Sequence, residues 1–418
     1  MPSSPILGLM PPPMTNNSET LASGEPTVRI GDVVELEILR VANGGFCISR
    51  HEGKVAFVRH CLPGETVKAE ITDITAKFYR ADAVEVIKGS EHRVAAPCKF
   101  ATQCGGCDWQ HSSLAYQREL KSEVVREQLS HLGKVLEVNG KPLAEFEVEA
   151  MPGESDGLHW RTRNRYASIG DFGVGMRMPR SHSVIEIDDC LIAVEGSVAL
   201  AESALHLGEP EVETALSSTG THVVVDRRGG PWLEEKVGDR NWRIHASSFW
   251  QVHKQAAEVL VATVRKFAAL QPGQSLLDLY SGSALFAASL CADVGERGNV
   301  VAVESSIDAV RDARRSCSDL PQLDLVTSDV NKWISAHQDE SFDVVVLDPP
   351  RAGAGKSVVE KVAKMAKYAI VYVACDPSSL GRDTALLAEA GWSMRMLRGF
   401  DAFPMTSHVE CVAAFTRS

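Results

Sequence analysis

Ser275-Leu-Leu-Asp-Leu-Tyr280, Val300-Val-Ala-Val303, Leu323-Asp-Leu-Val326, Phe342-Asp-Val-Val-Val-Leu347 and Ala369-Ile-Val-Tyr-Val-Ala374 are short apolar runs, with helical periodicity filling the stretches between them. Four to six aliphatic residues in a row, bounded by polar segments, suit a strand buried on both faces. Parallel strands are buried that way, and each needs a crossover, supplied by a helix, to reach the next. The pattern predicts a doubly wound α/β domain over residues 249–418.

Ligands of such sheets bind at the carboxyl ends of the strands, and chemistry-bearing residues collect there. Asp278-Leu-Tyr-Ser-Gly-Ser-Ala-Leu-Phe286 runs from a strand through a small-residue turn into a helix, and Gly282 allows close backbone approach. Glu304 ends the second strand, where a carboxylate accepts from ribose hydroxyls; Asp329 follows the third and Asp348-Pro-Pro-Arg351 the fourth. No Gly-x-Gly-x-x-Gly leaves room for a pyrophosphate. Successive carboxylates without phosphate-binding glycines suit a nucleoside carrying a positive sulfonium, although Asp278 and Asp329 also suit helix caps. The fifth strand ends in Tyr372-Val-Ala-Cys375-Asp-Pro-Ser-Ser, which puts Cys375 on the same edge. A helix amino-terminus favours the reactive thiolate there, so Cys375 reads as a nucleophile. Cys47, Cys61, Cys291, Cys317 and Cys411 read as buried spectators.

The 418 residues exceed one compact domain. Residues 1–26, rich in Pro, Ser and Asn, read as a disordered tail without a secretory leader's basic start or apolar core. Over 27–89, five alternating runs suggest a small OB-type barrel: Val34-Glu-Leu-Glu-Ile38, Gly44-Gly-Phe-Cys-Ile48, Lys54-Val-Ala-Phe-Val58, Thr66-Val-Lys-Ala-Glu-Ile71 and Ala81-Asp-Ala-Val-Glu-Val86. An amphipathic helix is expected through Tyr116–Leu129, and strands and loops over 146–250. No apolar stretch is long enough to span a bilayer, and a monomeric cytoplasmic protein is expected. In that reducing setting the ten cysteines favour metal binding or catalysis over disulfides. Cys98-x5-Cys104-Gly-Gly-Cys107 places three thiols in one loop and Cys190 is a plausible fourth, a set that spacing leaves open between zinc and iron–sulfur. The net charge of −12 opposes a nucleic-acid partner, but Arg161, Arg163 and Arg165 recur at period two beside Trp160 and Tyr166, followed by Arg177 and Arg180. Such a strand shows one basic face, either solvated or turned to RNA.

Taken together, the Asp278-Leu-Tyr turn, Asp348-Pro-Pro-Arg351, the Cys375-Asp-Pro turn, Phe249-Trp-Gln251 and His408-Val-Glu410 resemble the TRAM-domain RNA (uracil-5-)-methyltransferases, which modify ribosomal or transfer RNA. The likeness covers the chain from about residue 27. It implies a multidomain α/β protein: a TRAM barrel (27–89), a central α+β domain with an iron–sulfur loop (90–248) and a Rossmann-like class I methyltransferase domain (249–418). It further implies that Gln251, Tyr280, Leu285, Glu304, Asp329 and Asp348 line an S-adenosylmethionine site. Cys375 corresponds to the nucleophile, Glu410 to the general base, and Cys98, Cys104, Cys107 and Cys190 to the ligands of a [4Fe–4S] cluster. Two features depart from the pattern: Ala284 stands where the family's turn has a second glycine, an extra methyl that could tighten or reshape the pocket, and the chain is acidic. The rival readings are an RNA cytosine-5 methyltransferase, which shares the thiol addition, and a non-catalytic RNA-binding iron–sulfur protein, which needs neither Cys375 nor Glu410.

Overall fold

Seven strands build the C-terminal sheet: β1 (Ser275–Leu279), β2 (Asn299–Glu304), β3 (Leu323–Thr327), β4 (Phe342–Leu347), β5 (Ala366–Ala374), β6 (Trp392–Asp401) and β7 (Glu410–Arg417). The computed structural model describes residues 28–417 except 171–172, 206–207 and 227–230, so the expected N-terminal tail lies outside the described residues. The sheet order is β3-β2-β1-β4-β5-β7-β6. Strands β1 to β5 pair in parallel, and β7 runs antiparallel to β5 and β6. The apolar runs are thus the five parallel strands. Their order reverses between β1 and β4, the switch point at whose carboxyl ends such sheets bind their ligands.

Both faces are covered, which is why these strands read as continuous apolar runs rather than alternating ones. Leu276, Val300, Val344 and Val371 enter a core with the helices Ala256–Ala268, Leu285–Val294 and Ile307–Ser316. Their strand neighbours Leu277, Val301, Val345 and Tyr372 enter a second core with Val330–Ala336, Lys356–Met365 and Pro377–Glu389. Each fully buried aliphatic side chain contributes about 1.5–3 kcal/mol.

Residues before 249 join the same cores. Val148–Ala150 pairs in parallel with β6 as an eighth strand. The helix Leu114–His131 packs on Pro377–Glu389, so closely that a Cβ at Gly381 would lie 2.8 Å from the Gln128 carbonyl oxygen. The hairpin Trp232–Val237/Arg240–His245 buries Leu233, Trp242 and Ile244 beside Leu276.

At the N-terminus, six strands form a sheet in the order Val33–Glu37, Thr66–Ile74, Phe78–Lys88, Lys54–Arg59, Cys47–His51, Arg40–Val41. It encloses Leu36, Ala56, Val58, Val67, Ile71 and Tyr79. Gly44 and Gly45 adopt φ of +90° and +84°, so the run expected to start at Gly44 is a turn until Cys47. The central segment forms a five-stranded antiparallel sheet in which Arg163–Ile169 pairs with Gly173–Arg177 and Glu211–Leu216.

The arginines of that sheet are largely engaged by carbonyls and acids of the protein itself, which weighs against the RNA-facing one of the two readings and leaves Arg165 and Arg177 as solvated ion pairs. Trp160 and Tyr166 are buried. Arg163 is largely buried, donates to the Ala246 and Ser248 carbonyls and faces Glu235. Arg165 bridges Glu211 and Glu213, and Arg177 also reaches Glu211. Arg161 Nε donates to the Arg163 carbonyl at 3.1 Å, and Arg180 lies over the ring of Phe46 in the N-terminal domain.

Candidate active site

The turn after β1 is built from backbone that side chains resist. Tyr280, Gly282 and Ala284 all lie in the left-handed region, at φ of +63°, +54° and +60°. Each non-glycine residue there costs about 1–2 kcal/mol, strain that clusters at ligand sites. The methyl of Ala284 is fully buried in the core, so the departure from glycine is absorbed by packing. Asp278 is wholly buried; one oxygen accepts from Ala287 N at 2.9 Å, in the first turn of the helix that Leu285 begins, and Oδ1 has no partner. Burial, with the carboxylates of Asp348 and Glu304 nearby, pushes its pKa up to about 8. Trp242 Nε1 donates to the Ser283 carbonyl at 3.2 Å and packs on Trp250, tying the turn to the segment that carries Gln251.

Glu304, at the end of β2, accepts from Gly282 N at 3.0 Å and Ser306 N at 2.7 Å, so it braces the turn. Asp329 caps the helix Val330–Ala336 by accepting from Lys332 N at 2.9 Å. Burial, with Asp329 and Asp383 nearby, raises the Tyr280 phenol to about 12. Desolvation lifts Asp348, after β4, to about 7. Tyr280, Leu285, Glu304, Asp329 and Asp348 therefore gather at the carboxyl edge. Gln251 lines a cavity with Thr162, Ser217 and Glu258, and its neighbour Trp250 packs on Trp242, which bonds the turn.

Antiparallel pairing brings the reacting pair together. The β5–β7 ladder ends with Ala374 opposite Cys411, and the residues next to that last pair, Cys375 after β5 and Glu410 at the start of β7, lie close enough for the Glu410 carboxylate to act on the thiol. Burial raises Glu410 well above the ordinary carboxylate range; Asp348 adds to this and Arg351 opposes it. The Cys375 thiol is pushed up to about 11 by burial, then by Glu410 and Asp348, with Arg351 again opposing. This overturns the expectation that a helix terminus favours the thiolate. The capping residue is Asp376, whose carboxylate takes the Ser379 N–H at 2.7 Å, and the thiol one residue earlier faces acids instead.

Several residues of this centre are given no role by the sequence, although Arg351, His408 and Tyr372 stand in motifs quoted from it. Arg351 donates to Nε2 of His408 at 3.3 Å, and burial lowers that imidazole to about 4, leaving it neutral. Asp383 accepts from Tyr372 Oη at 2.6 Å, Ala354 N at 2.7 Å and Gly355 N at 3.3 Å, clamping the loop that follows Arg351. The segment leading to Glu410 is held just as firmly. Lys121, fully buried, pairs with Asp401 and donates to the Phe403 carbonyl at 3.0 Å. Asp108 accepts from Ser407 N and Oγ, both at 3.0 Å.

Asp108 follows Cys107, so the cysteine loop abuts this centre. Cys98, Cys104, Cys107 and Cys190 line one cavity with Phe100, Tyr166 and Met176. Gln110 Nε2 donates to Cys107 Sγ at 3.2 Å and Gly106 N to Cys104 Sγ at 3.3 Å, as ligand sulfurs are commonly supported. Among the described residues, no group of three or more His, Cys, Asp or Glu stands at the spacing of a single metal ion. No helix among them is long and apolar enough to cross a membrane.

A sheet of order 3-2-1-4-5-7-6 with a strained turn after β1 and carboxylates along its edge defines an S-adenosylmethionine-dependent methyltransferase fold. Family models bear on the parts. The TRAM domain matches residues 27–84, tRNA (uracil-5-)-methyltransferase matches 331–418, and protein-L-isoaspartate O-methyltransferase matches 228–345. An uncharacterized RNA methyltransferase of Streptomyces coelicolor is 39% identical over 93% of this chain and 94% of its own. A 23S rRNA (uracil(1939)-C(5))-methyltransferase of Shewanella is 31% identical over 89% and 93%. The crystal structure of Pyrococcus abyssi tRNA (uracil-54, C5)-methyltransferase, in complex with S-adenosyl-L-homocysteine, superposes with a TM-score of 0.67 over 91% of this chain and 99% of that one, at 22% identity. The chain belongs to the TRAM-domain, S-adenosylmethionine-dependent RNA (uracil-5-)-methyltransferases.

Proposed function

We propose that this enzyme methylates carbon 5 of a uridine, in ribosomal rather than transfer RNA, with Cys375 as nucleophile and Glu410 as base. The observation that carries the reading is the β5–β7 register, which supports a thiol and a carboxylic acid acting on one pyrimidine. Carbon 5 of uracil is a weak nucleophile. Cys375, once deprotonated, adds to carbon 6, and the displaced π pair makes an enolate. Carbon 5 then takes the methyl carbon as its bond to the donor sulfur breaks, leaving S-adenosylhomocysteine. Glu410, ionised for the step, removes the hydrogen of carbon 5, and the returning electrons expel the thiolate. Arg351 is the cation that favours both ionisations.

The donor site is assigned to Gln251, Tyr280, Leu285, Glu304, Asp329 and Asp348. The unpartnered oxygen of Asp278 and the strained turn fit a cationic nucleoside there. Cys98, Cys104, Cys107 and Cys190 are assigned to a [4Fe–4S] cluster; four thiols on one cavity, two already receiving N–H donors, fit such a group. When bound it would supply a rigid anchor for the loop. Ribosomal RNA is preferred because the rRNA-named relative is the more similar in sequence to this chain.

RNA containing 5-fluorouridine tests the chemistry, since fluorine cannot leave as a proton. A covalent methylated complex should form with the wild type and not with Cys375→Ala. Full turnover by Cys375→Ala refutes the assignment. Mapping 5-methyluridine in a deletion strain identifies the target, and a loss confined to transfer RNA overturns the preference. Anaerobic iron and sulfide analysis tests the cluster, and stoichiometric zinc without iron excludes it.

A further inference from the structure

The N-terminal domain contributes a wall to the reaction centre. Asn43 Nδ2 donates at 3.4 Å to the carboxylate of Asp376, the residue after Cys375. The Gly45 carbonyl accepts from Trp109 Nε1 at 3.2 Å. A Cβ at Gly45 would lie 3.0 Å from the Ser407 Cβ, three residues before Glu410. One short loop thus borders both reacting strands.

The next residue, Phe46, is half-buried and begins a row of rings along this domain. It meets Phe57 edge-on at 6.3 Å between centroids, and Phe57 meets Phe78 likewise at 5.4 Å. The guanidinium of Arg180, exposed at a left-handed φ of +50° in the central domain, lies 4.6 Å from the Phe46 centroid. That of Arg80 lies 5.6 Å from Phe46 and 5.2 Å from Phe78. Burial lowers the Arg180 pKa, and Arg80 and Arg59 nearby lower it further, with Asp82 and Asp73 opposing. The acids here answer weakly: Asp82 and Asp73 approach Arg59 and Arg80 only to 3.8 Å. Guanidiniums gathered this closely repel one another, and in a chain of net charge −12 they concentrate positive charge on the rings beside the reaction centre.

We infer that Phe46, Arg80 and Arg180 form a stacking site for an unpaired base of the substrate RNA next to the target uridine, with the intervening phosphate on the guanidiniums. The inference rests on the functional reading above. A nucleotide unstacked to reach Cys375 leaves its neighbour without a stacking partner. A ring face with adjacent guanidiniums binds such a base whatever its identity, while its charge holds the backbone.

Short single-stranded oligoribonucleotides with one uridine and 2-aminopurine beside it test the site by fluorescence titration. Wild type and Phe46→Trp should bind and quench the probe. Phe46→Ala should bind about ten-fold more weakly without quenching, within the range for base–aromatic stacking. Arg180→Gln should flatten the salt dependence of log affinity by about 0.7, one phosphate contact on a single strand. Thermal unfolding and S-adenosylhomocysteine affinity, measured on every variant, should match the wild type. Phe46→Ala that binds and quenches like the wild type overturns the stacking site. The same proteins are assayed for 5-methyluridine on RNA from a deletion strain. A wild type that makes none brings down the functional reading and this inference with it, whereas wild type and Phe46→Ala that both make it, with equal affinity, bring down the stacking site alone.

Discussion

Gly353→Ala isolates the clamp that holds the loop after Arg351, because a second glycine two residues on serves as its control. Gly353 and Gly355 have φ of +87° and +76°, and at Gly355 the ψ of 165° completes a conformation nearly reserved for glycine, so alanine at either pays for backbone strain of about 1–3 kcal/mol, not equal at the two positions. At Gly355 nothing lies within 4 Å of an added Cβ, and that strain is the whole effect. At Gly353 the Cβ would sit 2.8 Å from Asp383 Oδ2 and 3.1 Å from Ser379 Cβ. The carboxylate cannot retreat without releasing the buried Tyr372 hydroxyl, at 2.6 Å, or Ala354 N, at 2.7 Å. Breaking one such buried bond costs about 1–3 kcal/mol, so Gly353→Ala should cost that much more in the wild-type background than in an Asp383→Ala background, where the obstructing oxygen is gone. Urea denaturation at a common m value measures the difference. Gly355→Ala, with nothing beside its added Cβ, should cost the same in both backgrounds. A Gly353→Ala loss equal in the two backgrounds would falsify the clamp.

Three further outcomes are expected. Asp278, at about 8, and Asp348, at about 7, hold protons in the folded chain that the unfolded chain loses near pH 4, so their stabilisation is present below about pH 4 and disappears as pH rises through their folded values. Asp278→Asn should therefore flatten the decline in stability between about pH 5 and 8, and a decline as steep as the wild type's contradicts the assignment. Trp242→Phe removes the bond to the Ser283 carbonyl and should cost about 1 kcal/mol of stability together with a several-fold loss of donor affinity; calorimetry showing unchanged affinity would detach Trp242 from the turn. Glu410→Gln should still add its thiol and accept the methyl group but stall before elimination, so mass spectrometry should find a methylated covalent RNA adduct. Normal product release from that variant would remove Glu410 from the base role.

Legibility in the sequence followed the range of the interaction. Strands β1 to β5 declared themselves because burial on both faces writes an uninterrupted apolar run, and the residues ending them came along at fixed offsets. Glu410 was named by the resemblance alone, being one polar residue whose place beside Cys375 is made by the β5–β7 pairing. Asp383 with Tyr372, and Arg351 with His408, are likewise pairs made by folding: the motifs name some of these residues, but no spacing along the chain says which of them meet. The arginine stripe stays ambiguous in the sequence for the complementary reason: period-two spacing shows which residues share a face, while Glu213 and Glu235, which occupy that face, lie on other strands. The lifted thiol of Cys375 has the same origin, since the acids that raise it come from β7 and from the loop after β4.

Those raised pKa values bear on the order of binding. Asp278, Asp348, Cys375 and Glu410 are all acids held toward their neutral forms by burial, and Arg351 is the cation opposing this at both reacting groups. A neutral ligand leaves that balance alone, whereas a sulfonium adds positive charge where the carboxyls are buried and favours their ionised forms. Binding of the cationic donor should therefore release protons, and its affinity should rise between about pH 6 and 8 as Asp348 and Asp278 ionise without its help. S-adenosylhomocysteine has the same shape without the sulfonium charge, so its affinity should be nearly flat over that interval. Calorimetry in buffers of different ionisation enthalpy reads both the proton count and the affinity. Parallel pH profiles for the two ligands would mean that the carboxyls do not sense the sulfonium. Divergent profiles would mean that the charge needed to ionise the centre arrives with the methyl group, which keeps Cys375 from adding to a pyrimidine before a donor is in place.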